Sequence, residues 1–91
     1  MNAANCIRSV ARNADELYGG FSSTHEAYGV IAEELAELLE AIQSNNLDRV
    51  RCEAIDVAAA ATRLALQLDH PDLAFIQRSG AEPSPAGNYL R

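Results

Sequence analysis

The chain contains no lysine. Its seven basic residues are all arginine, against thirteen aspartates and glutamates, and the formal net charge is −6. A protein that neutralises a nucleic-acid backbone needs a basic footprint. A nucleic-acid polymer is therefore not the expected partner. Tryptophan is absent, and Cys6 and Cys52 are the only cysteines. They form no CxxC pair and read as small packing residues. With His25 and His70 as the only histidines, a zinc site lacks its usual ligands. No long apolar run and no signal-peptide pattern occurs, so no membrane partner and a cytoplasmic location are expected.

What remains is rich in alanine, leucine and glutamate. Ninety-one residues suit one small domain, which buries a little over ~60% of its unfolded surface. Self-association would add to so modest a core. Ile7, Val10, Ala11, Ala14, Leu17 and Tyr18 recur at helical spacing over Asn2–Tyr18, and Gly19-Gly20 stops that helix. A second helix begins after Ser23, which makes a capping box with Glu26, and runs to about Ser44. Asn45-Asn46 breaks it. Asn46 can cap a third helix, Leu47 to about Leu68, with Asp48 favourable in its first turn. His70-Pro71 ends that helix, and Pro71 can open a short fourth over residues 71–78. No strand-like alternation and no fixed-period repeat stands out. The expected fold class is all-α: a bundle of three main helices plus the short fourth, assembled as an oligomer. The domain is expected over residues 1–78, with 79–91 as a flexible or partner-docked tail.

Within the second helix the stretch AEELAELLEAI carries carboxylates on its apolar face. At about 100° per residue and with Glu34 at zero, Ala27, Val30, Leu38 and Ala41 all fall within about 40° of it. Glu37 lies at about −60° and Glu33 at about −100°. The third helix repeats the device. Glu53 sits among Val57, Ala60 and Leu64, and Asp56 lies at about −60° from it. A short connection makes these helices an antiparallel hairpin. Glu37 and Glu53 are then at similar distances from the turn, and so are Glu34 and Asp56. Four carboxylates facing one another in a partly buried site would be driven to take up protons. A hard divalent cation with oxygen ligands, Mg²⁺ or alternatively Mn²⁺, is the more natural compensation.

At these residues the chain resembles the MazG-like, all-α nucleoside triphosphate pyrophosphohydrolases. The motif of that superfamily is EExxE, a spacer, then ExxD. Here it reads Glu33-Glu34-Leu35-Ala36-Glu37, fifteen residues, then Glu53-Ala54-Ile55-Asp56. The stretch HEAYGVIAEELAELLEAI also looks like short phage- and mobile-element-type members, and the similarity covers about residues 21–68. The resemblance implies hydrolysis of a nucleoside triphosphate to monophosphate and pyrophosphate, in the house-cleaning of nucleotide pools. It implies Glu34, Glu37, Glu53 and Asp56 as Mg²⁺ ligands, with Glu33 on a second ion or orienting water. It also implies a homodimer or homotetramer. Many relatives place a lysine near the phosphates, and here Arg63 and Arg49 are the candidate substitutes. Rival readings are dUTP or phosphoribosyl-ATP as substrate, or a non-catalytic helical dimerisation module. Tyr18, Phe21 and Tyr28 are candidates for base stacking, though core or interface packing is their commoner use. His25 reads as a surface or interface residue. Asn88 and Tyr89 could reach a neighbouring site.

Overall fold

Three helices follow one another: α1 (Ala3–Tyr18), α2 (Thr24–Ser44) and α3 (Leu47–Leu68). The computed structural model describes residues 1–70, among which no strand occurs. The expected fourth helix over 71–78 and the tail over 79–91 lie outside the described residues.

Each helix starts where its capping chemistry allows. The Asn2 side chain accepts from the Asn5 N–H at 2.9 Å, Ser23 Oγ from the Glu26 N–H at 2.9 Å, and Asn46 Oδ1 from the Arg49 N–H at 3.1 Å. Each satisfies a backbone donor that the first turn leaves without a helical partner. The Glu26 carboxylate reaches back to the N–H and hydroxyl of Ser22. The capping box is thus extended by one residue beyond the cap. Between α2 and α3 only two residues turn the chain. Asn45 takes the left-handed conformation at φ 59°, which asparagine tolerates better than most side chains, and Asn46 caps the next helix.

α3 is the central helix: α2 packs along one side of it and α1 along another. Small residues let the hairpin close. Ala27 and Ala41 on α2 and Ala59 and Ala60 on α3 are buried, and Ile55 and Phe21 are the only large apolar side chains among the buried ones. Because α3 faces two neighbours, its buried arc is wider than one apolar stripe. It takes in Ile55 and Arg63, whereas Ala61, which the periodicity places on the stripe, is exposed. Leu17, Tyr18 and Cys52 are likewise exposed. The spacing of apolar residues does not reveal that α1 packs mainly on α3 and leaves its last turn uncovered.

The α1–α2 connection is held from α3. Gly19 caps α1 at φ 76° and its N–H bonds the Asp15 carbonyl at 2.8 Å. Gln67 then grips both sides of the next peptide. Its Oε1 accepts from the Phe21 N–H and its Nε2 donates to the Phe21 carbonyl, each at 2.8 Å. A Cβ on Gly20 would stand 3.0 Å from that Oε1, so a glycine there lets the amide approach. One turn earlier, buried Arg63 donates from Nε to Asp15 Oδ1 at 2.9 Å and from a terminal nitrogen to the Gly19 carbonyl at 3.1 Å. Its guanidinium lies 4.4 Å from the centroid of the Phe21 ring, a cation–π contact of about 0.5–2 kcal/mol. Burying Phe21 itself stabilises the fold by about 1.5–3 kcal/mol.

Replacing Gln67 with Ala strips partners from two part-buried backbone groups. We expect a loss of about 2 kcal/mol in urea unfolding followed by circular dichroism. Gln67→Glu, which keeps the acceptor but not the donor, should fall in between. A loss below about 0.5 kcal/mol for Gln67→Ala is the behaviour of an uninvolved surface side chain and would refute this role.

Candidate metal centre

Glu34 and Glu37 are one turn apart on α2, and the hairpin sets Glu53 of α3 opposite them. One carboxylate oxygen from each of these three residues lies within 4.8 Å of the other two. Glu34 and Glu53 are half-buried and Glu37 is exposed, so the cluster sits at the lip of the helix interface. Asp56, half-buried, stands outside this set but close enough for its charge to act on both Glu34 and Glu53. Glu33 is exposed and is not among the three. Of five carboxylates singled out from sequence, the hairpin gathers three closely, keeps a fourth in electrostatic reach, and leaves Glu33 outward.

The electrostatics follow from burial first and like charge second. Desolvation pushes the Glu34 carboxyl above its ordinary value, and the neighbouring charges of Glu37, Asp56 and Glu53 push it further. Asp56 is raised by desolvation and by Glu37. Glu53 is raised by desolvation, Glu37 and Asp56, with Arg49 pulling the other way. Like charges and loss of water both disfavour the ionised form.

Arg49 is exposed, 4.0 Å from a Glu40 carboxylate oxygen, an arrangement that contributes little to stability. Arg63 is differently placed: it is 8% exposed and committed to Asp15, the Gly19 carbonyl and the Phe21 ring. Its guanidinium nevertheless lines a cleft of about 340 Å³ together with Tyr18, Phe21, Val30 and Glu34. That cleft opens between the end of α1 and α2, directly beside the carboxylates. Of the aromatic candidates, Phe21 is buried, while Tyr18 lines the cleft with its ring largely in solvent. Tyr28 and His25 are exposed. Sequence reasoning missed Asp15 and Gln67. Gln67 had one signal, its place one turn after Arg63 on the same face of α3.

The donor set tests the expectation of a metal. All the ligand atoms are carboxylate oxygens, hard donors that suit Mg²⁺ or Mn²⁺ and not a thiophilic ion. Glu53 also has a carboxylate oxygen, Oε1, that is buried without a hydrogen-bond partner. A buried acceptor without a donor is costly, and a cation would satisfy it. The residues fit a hard divalent cation. Comparison with known protein families, characterised proteins and solved structures finds no match for this chain.

The raised carboxyls give a testable pH dependence. A group with a folded-state value above its unfolded value binds protons more readily in the folded state. Its unfavourable contribution is complete above the folded value and relieved as pH falls through it. The ion-free protein should therefore resist urea better at about pH 5.5 than at about pH 7.5. Glu34→Gln should flatten that difference. At the higher pH, Mg²⁺ at about a hundred times its Kd should add about 2.7 kcal/mol, and a chelator should remove it. Stability that falls on acidification over this interval, with Mg²⁺ giving nothing, contradicts the assignment.

Proposed function

We propose that this chain is a Mg²⁺-dependent nucleoside triphosphate pyrophosphohydrolase of the MazG-like all-α type, acting as a homodimer or homotetramer on canonical or modified nucleotides. The observation that carries the reading is the meeting of Glu34, Glu37 and Glu53 across one helical hairpin, with Asp56 behind them. A buried, unpartnered Glu53 oxygen supports it. Among the described residues no helix is long and apolar enough to cross a membrane, which agrees with a water-soluble substrate.

In this reading Glu34, Glu37, Glu53 and Asp56 hold Mg²⁺, with Mn²⁺ as a substitute. The bound ion supplies charge neutralisation for the phosphates and lowers the pKa of water. Phosphoryl transfer needs positioning and charge stabilisation more than a protein nucleophile. The chain offers no thiol or imidazole in the cluster, so the work of its residues is to position and to accept protons. For Glu33, on the outward side, the family resemblance is what supports a role on a second ion or in orienting the attacking water. The cleft beside Glu34 is the space for the nucleoside, bounded by Tyr18 and by the loop that Arg63 and Gln67 hold. Arg63 has its donors engaged with Asp15 and Gly19, so in this reading it shapes that wall. Arg49, near Glu53 and only loosely paired, is the freer cation for a phosphate. The rival substrates for the same site are dUTP and phosphoribosyl-ATP.

A panel of nucleoside triphosphates incubated with Mg²⁺ decides the matter. The expected products are the monophosphate and pyrophosphate. Glu53→Gln should lower turnover by about 100-fold or more, since even outer partners of metal ligands are worth 10–100-fold, while helix content is kept. Single-phosphate release, or a fully active Glu53→Gln variant, would overturn the assignment. A complete absence of turnover would favour a helical dimerisation module instead.

A further inference from the structure

α2 has a second apolar face that nothing in the described chain covers. Tyr28, Leu35, Leu39 and Ile42 are 72%, 54%, 54% and 50% exposed. With Ala32 they follow one another at steps of four, three, four and three residues. That is the seam spacing by which one helix packs on another helix, side chain into gap. The same face forms a shallow groove of about 470 Å³ lined by Ala32, Leu35, Ala36, Leu38, Leu39 and Ile42.

The position of the seam separates it from the carboxylates. With Glu34 at zero, it is centred at about +120°, whereas Glu37 lies at about −60°, on the opposite side of the helix. No charged residue falls between about +40° and +160°. α2 carries no lysine or arginine, and its glutamates all lie at zero or on the negative side of that wheel. A molecule of net charge −6 can meet its own copy along such a neutral strip without bringing like charges together.

The single copy also lacks what would make it self-sufficient. Among the described residues, five of the seven buried apolar ones are alanine and no large side chain is fully buried. Among the described residues α2 packs mainly along α3. Beyond residue 70 the sequence offers one apolar stretch, Leu73-Ala74-Phe75-Ile76. It is four residues long, against the fifteen from Tyr28 to Ile42. The occupant must be as long as the seam and equally apolar.

We propose that the face formed by Tyr28, Ala32, Leu35, Leu39 and Ile42 packs against the same face of a second copy of this chain, α2 on α2. The contact is isologous, with one patch serving both partners. It names the surface behind the oligomeric part of the functional reading and does not rest on the metal centre.

Sedimentation of the full chain tests this. At about 100 μM the protein should have twice the 9.8 kDa mass of one chain, as a self-association of ordinary micromolar strength requires. Leu35→Glu and Leu39→Glu should sediment at 9.8 kDa with helical circular dichroism retained. Leu35→Ala, which keeps helix propensity, should weaken the dimer about ten-fold, and this arm holds if the glutamate variants fail to fold. Leu66→Glu, on exposed α3 surface away from the seam, should leave the dimer intact. A wild-type monomer at this concentration overturns the proposal. Where Leu35→Glu destabilises such a monomer, the chain's own C-terminal segment is the occupant instead. A dimer that survives both Leu35→Glu and Leu39→Glu overturns it too. Mn²⁺ binding, read by its paramagnetic effect on water protons, keeps the two ideas apart. Glutamate variants that are monomeric yet bind Mn²⁺ support both, and a dimer that binds no Mn²⁺ supports the seam while removing the metal centre.

Discussion

Carboxylates that face one another across a helical hairpin must be held there against their own repulsion, and this constraint shapes the molecule. The force that holds them is the close approach of α2 and α3. Ala27, Ala41, Ala59 and Ala60 are buried between or beside these helices, and small side chains let helix axes draw near. Asn45 and Asn46 turn the chain within two residues, so the register of the two helices has little freedom. Glu34 and Glu37 are thereby fixed opposite Glu53. The hairpin carries an electrostatic cost when no cation is bound, visible in the upward shifts of Glu34, Glu53 and Asp56. In the proposed reading a divalent cation would offset that cost.

α3 joins the hairpin to the rest of the fold. Arg63 and Gln67 project from its last two turns and fasten the loop between α1 and α2. That loop, with Tyr18 and Val30, bounds the cleft that reaches Glu34. A charge held by Asp15 and a buried amide pinned by Gln67 thus set the shape of the space next to the acids. The three faces of α2 have separate uses: one packs on α3, one presents glutamates, and one is the bare apolar seam. Because the seam and the glutamates lie on opposite sides, the proposed self-association would leave the cluster open to solvent.

The helices were largely legible in the sequence because their boundaries are written in side chains. Ser23, Asn45 and Asn46 mark ends that the structure places where capping chemistry predicts. The inward turn of Glu34 and Glu53 was legible too, since a wheel of 3.6 residues per turn places each among apolar neighbours. The wheel does not say how many neighbours a helix has. Ala61 and Leu17 therefore read as buried and are exposed, whereas Ile55 and Arg63 are buried because α3 is central. Arg63 read as a candidate for the phosphates, and its burial against Asp15 depends on a contact across 48 positions. Such pairings leave no local signature. Glu33 matches its motif by position, but its outward direction comes from helix geometry. The stretch that reads as a fourth helix lies outside the described residues.

The most direct test of the central claim is anomalous scattering from crystals grown with Mn²⁺. The account predicts a peak at bonding distance, roughly 2.0–2.2 Å, from carboxylate oxygens of Glu34, Glu37 and Glu53, with the Glu53 oxygen no longer unpartnered. A map without such a peak, in which the three side chains diverge into water or Glu53 bonds to another protein group, would contradict it.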